Sequence, residues 1–357
     1  MLSKVVINSQ SIDYALIDKA AKIILDGGIV ALPTETVYGL AVLADKQCAV
    51  DRLYSIKKRS RDKPFSFALG SKDDAVNNYL DVLPPFGYRL IEKFWPGPLT
   101  LVYYQRGFSE KKIGIRVPSN IIAEEILKKV EKAVFLPSAN ISGEKDPIAI
   151  SEVEDSFDGA IDLIVDGGEC ICSQPSTVLD LTTGPFKLLR EGVVLESDMA
   201  KIFTRKRILF VCTGNTCRSP LAQLMLDKYL SRERTYFLDR YEIISRGISA
   251  VFGLSASDSV VSILKDEESI DARRFFSKRL DRYTLLSSDL IFTMEDAQKN
   301  HLLKLEPTIE GRVFNLKKFL SPGLERDIPD PIAGSYETYE NVYSLIKEAV
   351  LELKDWL

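Results

Sequence analysis

Apolar residues recur near the start of the chain with two different periods, and the switch between them sets the first elements. Leu16, Ala20, Ile23 and Ile24 share one face of a 3.6-residue repeat, so residues 11–26 predict a helix, stopped by Gly27-Gly28 at its C-terminus. The next four residues, Ile29-Val30-Ala31-Leu32, form a continuous apolar run of the kind a strand covered on both faces requires. The alternation then continues, with helices near 49–57, 85–94 and 121–132. Strands fall near 65–69, 100–104, a run ending at Arg116-Val117-Pro118, and 134, 163, 178 and 188. The opening residues 1–7 read as a short strand, not a signal peptide. This pattern predicts an α/β domain with a mixed, twisted sheet. Beyond a polar stretch at 196–206, the apolar run Ile208-Leu209-Phe210-Val211 predicts a new first strand, followed by a loop and a helix over 221–230. The organisation is therefore a domain over 1–195, a linker over 196–206 and a second domain over 207–357.

Composition supports that division and narrows the chemistry. At 357 residues the chain is long for one core and sufficient for two. Five cysteines without secretory spacing fit a reducing cytoplasm, and no stretch reaches the ~18 apolar residues of a membrane span. A net charge of -4 argues against general adhesion to nucleic acid. The single histidine, His301, excludes His-based catalysis and His-rich metal centres, and Cys170-Ile171-Cys172 is too isolated for zinc, so no metal site is expected.

The densest chemistry follows the second domain's first strand, in Cys212-Thr213-Gly214-Asn215-Thr216-Cys217-Arg218-Ser219-Pro220. A strand-to-helix turn aims backbone N–H groups and a helix dipole at a thiol, which lowers its pKa, and the same groups cradle a phosphate dianion. Gly214 permits close approach or a positive φ, and Asn215 tolerates left-handed geometry. Arg218 offers a planar fork for two phosphoryl oxygens, Ser219 a hydrogen bond to the thiolate, and Pro220 suits a first helical turn. Cys-x5-Arg alone also fits a buried structural cysteine beside a surface arginine; strand, loop and Pro-started helix in order favour the nucleophile.

Residues from about 205 onward resemble the low-molecular-weight protein phosphatases, which implies a doubly wound parallel sheet and a phosphocysteine intermediate formed on Cys212. The resemblance also implies that an Asp in a late Asp-Pro segment protonates the leaving group. In Asp327-Ile328-Pro329-Asp330-Pro331, Asp330 matches that acid and Asp327 is second choice. Thr216 stands where tyrosine phosphatases of this kind carry a larger aliphatic residue, and it resembles the arginine phosphatases. Phosphoarginine in a phosphoprotein is therefore preferred to phosphotyrosine, although Ile332 lacks the aromatic wall common at its position. Arsenate reductases share the loop but need downstream cysteines, and none follows Cys217. Cys217 itself reads equally as a packing thiol or as a reversible disulfide partner of Cys212.

In the first domain the run 57–63, Lys57-Lys58-Arg59-Ser60-Arg61-Asp62-Lys63, is the densest positive patch, which by itself more often marks a solvated helix end than a site. It stands among five other segments: Pro33-Thr34-Glu35-Thr36-Val37-Tyr38-Gly39, Phe94-Trp95-Pro96-Gly97-Pro98, Ile115-Arg116-Val117-Pro118, Pro137-Ser138-Ala139-Asn140 and Ser176-Thr177-Val178-Leu179-Asp180. In that order they resemble the YrdC family of threonylcarbamoyl-AMP synthases. The resemblance implies joining of L-threonine, bicarbonate and ATP, with Mg2+, into an adenylate that feeds the tRNA-modification machinery for t6A. It assigns Lys57, Arg59, Lys63, Ser138, Asn140 and Arg190 to ATP, and Thr34, Thr36, Arg116 and Ser176 to threonine. Fixed cations and neutral donors also suit the charge that develops on phosphoryl oxygens and leaving pyrophosphate. Ala68 replaces a histidine that several relatives carry, which alters one threonine-side wall. The competing reading is an RNA-binding module using the 57–63 patch, fused to a tyrosine phosphatase.

Overall fold

A computed structural model describes residues 3–157, 159–232, 240–320 and 327–357. The chain divides into two compact units, Met1–Leu83 with Leu90–Ala200, and Pro84–Arg89 with Lys201–Leu357.

In the first unit, β1 (Lys4–Val6), α1 (Tyr14–Asp26), β2 (Val30–Leu32), β3 (Gly39–Leu43), α2 (Gln47–Ile56) and β4 (Phe67–Ala68) lead into α3 (Lys72–Asp74) with a π-helical turn, Ala75–Tyr79. There follow α4 (Pro85–Phe94), of which residues 90–94 belong to this unit, β5 (Leu99–Tyr104), β6 (Lys112–Arg116), α5 (Ile121–Val130), β7 (Val134–Phe135), α6 (Ile150–Phe157), β8 (Leu163–Asp166), β9 (Thr177–Asp180) and β10 (Lys187–Arg190). Helix α1 begins three residues later than its apolar period suggests, because Asp13 is the N-cap: its carboxylate accepts from the N–H groups of Ala15 and Leu16. It ends at Gly27, whose φ of 96° lets its N–H reach the Ile23 and Ile24 carbonyls.

The ten strands pair in the order β1-β8-β2-β3-β7-β4-β6-β5-β9-β10, parallel and antiparallel neighbours mixed. Side chains of β2 and β3 point alternately into two cores. Val30, Leu32, Ala41 and Leu43 pack on Ile17, Ala20 and Ile24 of α1 and Ile126 of α5, while Ala31, Leu40 and Val42 pack on Leu53 of α2 and Phe157 of α6. Strand β3 escapes the sequence pattern because Gly39–Leu43 is buried at every position and shows no alternation.

Residues 196–206, expected as a linker, hold the helix α7 (Glu196–Thr204), with Met199 buried. The second unit continues with β11 (Lys206–Cys212), α8 (Arg218–Arg232), β12 (Tyr241–Gly247), α9 (Asp258–Glu268), α10 (Arg282–Leu286), β13 (Leu290–Thr293), α11 (Asp296–Leu305), β14 (Val313–Asn315) and α12 (Tyr336–Trp356). Its four strands run parallel in the order β12-β11-β13-β14. Ile208, Phe210 and Phe292 face Leu221 and Met225 of α8 and Ile346 and Val350 of α12; Leu209, Val211 and Ile291 face Leu285 and Leu302 on the other side. The sheet is thus doubly wound, and β11 at its centre delivers Cys212 at its C-terminal end, where ligands bind in such folds. Among the described residues, no helix is long and apolar enough to cross a membrane.

Candidate active sites

In the second unit the turn between β11 and α8 closes around the Cys212 sulfur. The Asn215 N–H donates to it at 3.2 Å, and the Ser219 hydroxyl lies 3.0 Å away. Asn215 takes φ 55°, so the left-handed position of the loop is the asparagine and not Gly214, where an added Cβ would meet only Thr216 Oγ1 at 3.6 Å. Its side chain ties the loop together. Nδ2 donates to Ser219 Oγ at 2.9 Å and Ser245 Oγ at 2.8 Å, and Oδ1 accepts from the Lys278 N–H at 2.8 Å. The glycine this geometry demands is Gly247, at the end of β12. A Cβ there would stand 2.7 Å from the Thr213 carbonyl and 2.9 Å from the Asn215 nitrogen.

Arg218 is buried, and its guanidinium is clamped by Glu295, by the Ile328 carbonyl at 3.0 Å and by Asp330. Cys212, Ser219, Asn215, Arg218 and Asp330 are therefore assembled in one place. Asp327 is held elsewhere, accepting from Asn315 Nδ2 at 2.7 Å and the Asp296 N–H at 3.2 Å, so it anchors the loop that carries Asp330. Glu295 was not legible as part of the site, since a lone carboxylate at a helix N-cap has no distinguishing spacing. Burial pushes the Cys212 thiol above its ordinary value, opposed by the Ser219 hydroxyl and N–H, the Asn215 N–H and Arg218. The lowering anticipated from a phosphate-type loop is present in the Ser219, Asn215 and Arg218 contacts, and burial outweighs it. Thr216 is half-buried beside Cys217, whose sulfur lies 3.5 Å from Ser257 Oγ and 3.8 Å from the Tyr339 hydroxyl; Ile332 is exposed.

The first unit holds two adjoining clefts. One, of about 480 Å³, is lined by Lys57, Arg59, Lys63, Ser138, Asn140 and Asp146, among others. The other, of about 530 Å³, is lined by Thr34, Arg59, Arg116, Ser138, Ser176 and Arg190, among others, so Arg59 and Ser138 border both. Lys57 ends α2 as its C-cap and is 1% exposed. Its ammonium donates to the Ser138 carbonyl at 2.5 Å, the Asn140 carbonyl at 2.7 Å and Asn140 Oδ1 at 3.3 Å, which uses all three protons. Ser138 Oγ donates to the same Oδ1 at 2.7 Å. Burial, aided by the charge of Arg59, brings the Lys57 ammonium down to about 8. Arg59 lies over the Phe65 ring at 5.0 Å and donates from Nε to the Lys63 carbonyl at 2.8 Å, while the Lys63 side chain is exposed.

On the second cleft, Arg190 donates from Nε and Nη2 to the Ser176 carbonyl and hydroxyl, both at 3.0 Å, and Thr100 Oγ1 lies 2.9 Å from that hydroxyl. Thr100 also lines this cleft. Thr34 and Thr36 are buried and turn their hydroxyls inward: Thr34 Oγ1 donates to the Val37 carbonyl at 2.6 Å, and Thr36 Oγ1 accepts from Arg116 Nη2 at 2.9 Å. The loop that carries them is backed by Cys170, whose thiol burial pushes up to about 11.

Residues 22–192 match the Sua5/YciO/YrdC family model, described as telomere recombination, and residues 207–357 match low molecular weight phosphotyrosine protein phosphatase. The threonylcarbamoyl-AMP synthase of Pyrococcus abyssi is 36% identical over 196 residues, which are 53% of this chain and 57% of the relative. The putative threonylcarbamoyl-AMP synthase of Methanocaldococcus jannaschii is 32% identical over 185 residues, 50% of this chain and 87% of the relative. This chain therefore spans little more than half the length of the first and most of the second. A crystal structure of P. abyssi Sua5 complexed with L-threonine shares the fold, with a TM-score of 0.53 at 23% identity over 68% of this chain and 92% of that one.

Proposed function

The chain belongs to the Sua5/YciO/YrdC family and carries a low-molecular-weight phosphatase domain behind it; from that premise we propose that it catalyses two separate reactions. The first unit joins L-threonine, bicarbonate and ATP into threonylcarbamoyl-AMP, releasing pyrophosphate and supplying the carbamoyl donor for t6A in tRNA. The observation that carries this reading is the pair of adjoining clefts that share Arg59 and Ser138. Their shared wall brings a nucleotide's α-phosphoryl group against an amino acid on the far side. Arg59 and Lys63 face the polyphosphate, while Lys57 acts behind them, holding the Ser138 and Asn140 loop in shape with its three donors. Positioning removes most of the barrier, and fixed cations stabilise the charge that grows on phosphoryl oxygens.

Among the described residues, no three carboxylate, histidine or cysteine groups converge on a metal. Mg2+ would arrive on ATP, held by phosphate and water, with Glu144 and Asp146 lining the same cleft.

The second unit hydrolyses a phosphoprotein through a phosphocysteine on Cys212. Asp330, released from Arg218, takes the Cys212 proton, and sulfur attacks phosphorus while Arg218 binds the equatorial oxygens. The bond from phosphorus to the leaving group breaks as Asp330 protonates that group, and the Asp330 carboxylate then takes a proton from the water that hydrolyses the phosphocysteine. Thr216 supports phosphoarginine over phosphotyrosine, since a hydroxyl in the pocket wall can accept from a guanidinium. Two assays test the proposal. Incubation with ATP, L-threonine and bicarbonate should yield the adenylate and pyrophosphate; if Lys57→Ala and Arg59→Ala only weaken salt-dependent RNA binding, the RNA-binding reading replaces it. Hydrolysis of phosphoarginine and phosphotyrosine peptides should favour the former, with Thr216→Ile reversing the preference.

A further inference from the structure

Gln298 lies in the first turn of α11 and is 5% exposed, so its polar side chain needs partners. Its Oε1 accepts from the Met294 N–H at 3.0 Å, which fixes the way the amide points. Nε2 then gives one proton to Thr213 Oγ1, in the loop that follows Cys212, at 3.2 Å, and the other to Glu295 Oε1 at 3.1 Å. The same Glu295 oxygen accepts from Arg218 Nη1. One amide thus ties the Cys212 loop to the carboxylate that holds Arg218. Satisfying the N–H groups at the helix start needs only the carbonyl oxygen of such a residue; the two donors serve the site.

The bonds on Arg218 divide in the same sense. Nη1 gives its two protons to Glu295 and to the Ile328 carbonyl at 3.0 Å, whereas Nη2 donates to Asp330. Besides Arg218, and among the described residues, Asp330 accepts a hydrogen bond only from the Ile332 N–H at 3.3 Å, two positions along its own loop. We propose that Gln298 is a positioning residue: it keeps Glu295 on Nη1 while Asp330 on Nη2 gives way to a phosphoryl group. This rests on the phosphatase reading above and adds which of the two carboxylates stays. With Asp330 gone, an untethered Glu295 would let the guanidinium turn, and small misplacements of a fixed cation cost up to about 100-fold in rate. Backbone N–H groups of the loop hold ground-state phosphate in either case, so the loss falls on kcat more than on KM.

Hydrolysis of p-nitrophenyl phosphate by the full chain tests this with Gln298→Met, which keeps the volume and loses the bonds, alone and combined with Glu295→Ala. Gln298→Met should lower kcat by ~10-fold or more with KM within ~3-fold of wild type. With Glu295→Ala already present, the same change should lower kcat by less than ~3-fold. An unchanged kcat, or a loss confined to KM, overturns the assignment. An equal loss in both backgrounds overturns it too, since that is what a role in the fold alone produces. Gln298→Glu keeps an oxygen for the Met294 N–H and removes both donors, so it replaces Gln298→Met in the cycle if the latter folds poorly, and a wild-type kcat in it also overturns the assignment. No hydrolysis by the wild type removes the phosphatase reading together with the role of Gln298, whereas hydrolysis that the Gln298 variants leave intact removes only the latter.

Discussion

Lys57 and Arg218 are both buried cations at the heart of a loop, and they differ in what surrounds them. Lys57 is held by two carbonyls and an amide oxygen, all neutral, whereas Arg218 lies between the carboxylates of Glu295 and Asp330. A buried charge among dipoles remains uncompensated, so its ammonium falls to about 8 and the surrounding cleft keeps an attraction for anions. A buried charge between anions is neutralised in advance, so phosphate must displace a carboxylate. The Asp330 side chain is 38% exposed and that of Glu295 30%. On the function proposed above, the first site would bind polyphosphate without rearrangement, and the second would exchange one carboxylate for a phosphoryl group, the freed Asp330 taking up the Cys212 proton before acting as an acid.

The largest effect should come from Cys212→Ser, which removes the nucleophile. Aryl phosphate hydrolysis is expected to fall by at least ~1,000-fold with adenylate formation unchanged. Lys57→Ala should then lower adenylate formation by roughly 100-fold or more, because the Ser138 and Asn140 loop loses its three donors, while the phosphatase rate stays constant. Glu295→Gln loosens Arg218 without removing it; kcat for aryl phosphate should fall by roughly 10–100-fold, the scale at which small misplacements act, and an unchanged kcat would show that Asp330 and the Ile328 carbonyl suffice.

A pH profile separates the two cations further. The Lys57 ammonium titrates at about 8, against 10.5 when unfolded. The kcat/KM for ATP in adenylate formation should therefore decline by up to about tenfold per unit as pH rises beyond 8. The folded state binds fewer protons at this lysine between pH 8 and 10.5, so its contribution to stability rises across that window, and activity and stability move in opposite directions. Comparing melting temperatures of wild type and Lys57→Met across the window reads the second sign. The smallest effect is Gly247→Ala, where the new methyl meets the Thr213 carbonyl; overpacking of this kind costs about 1–3 kcal/mol, seen as a lower melting temperature with the adenylate assay unaffected.

Much of this was legible along the chain wherever a signal is local. Apolar periods marked α1, α5 and the strand carrying Cys212, and the spacing of Cys212, Asn215, Arg218 and Ser219 placed four groups on one turn. The start of α1 shifted because a capping carboxylate decides where a helix begins, and β3 was missed because complete burial erases alternation. The cleft residues were found through six ordered segments, but not what each one does. Lys57, expected at ATP, lines its cleft and also ties the Ser138 and Asn140 loop; Thr34 and Thr36, expected at threonine, bond the Val37 carbonyl and the Arg116 guanidinium.

The sequence by itself determined the two α/β domains, the order of their elements and the reactive groups within a few residues of one another. Those depend on backbone propensity, burial period and short spacings, which act over one or two turns. Tertiary structure alone decided the partners of the buried charges: Glu295 and Asp330 on Arg218, Glu35 beside Arg116, and Gly247 under the phosphate loop. These pairs lie between 32 and 112 positions apart in the sequence. Whether a buried charge is free, paired or unsatisfied depends on which distant strand or helix packs against it, and no local pattern encodes that.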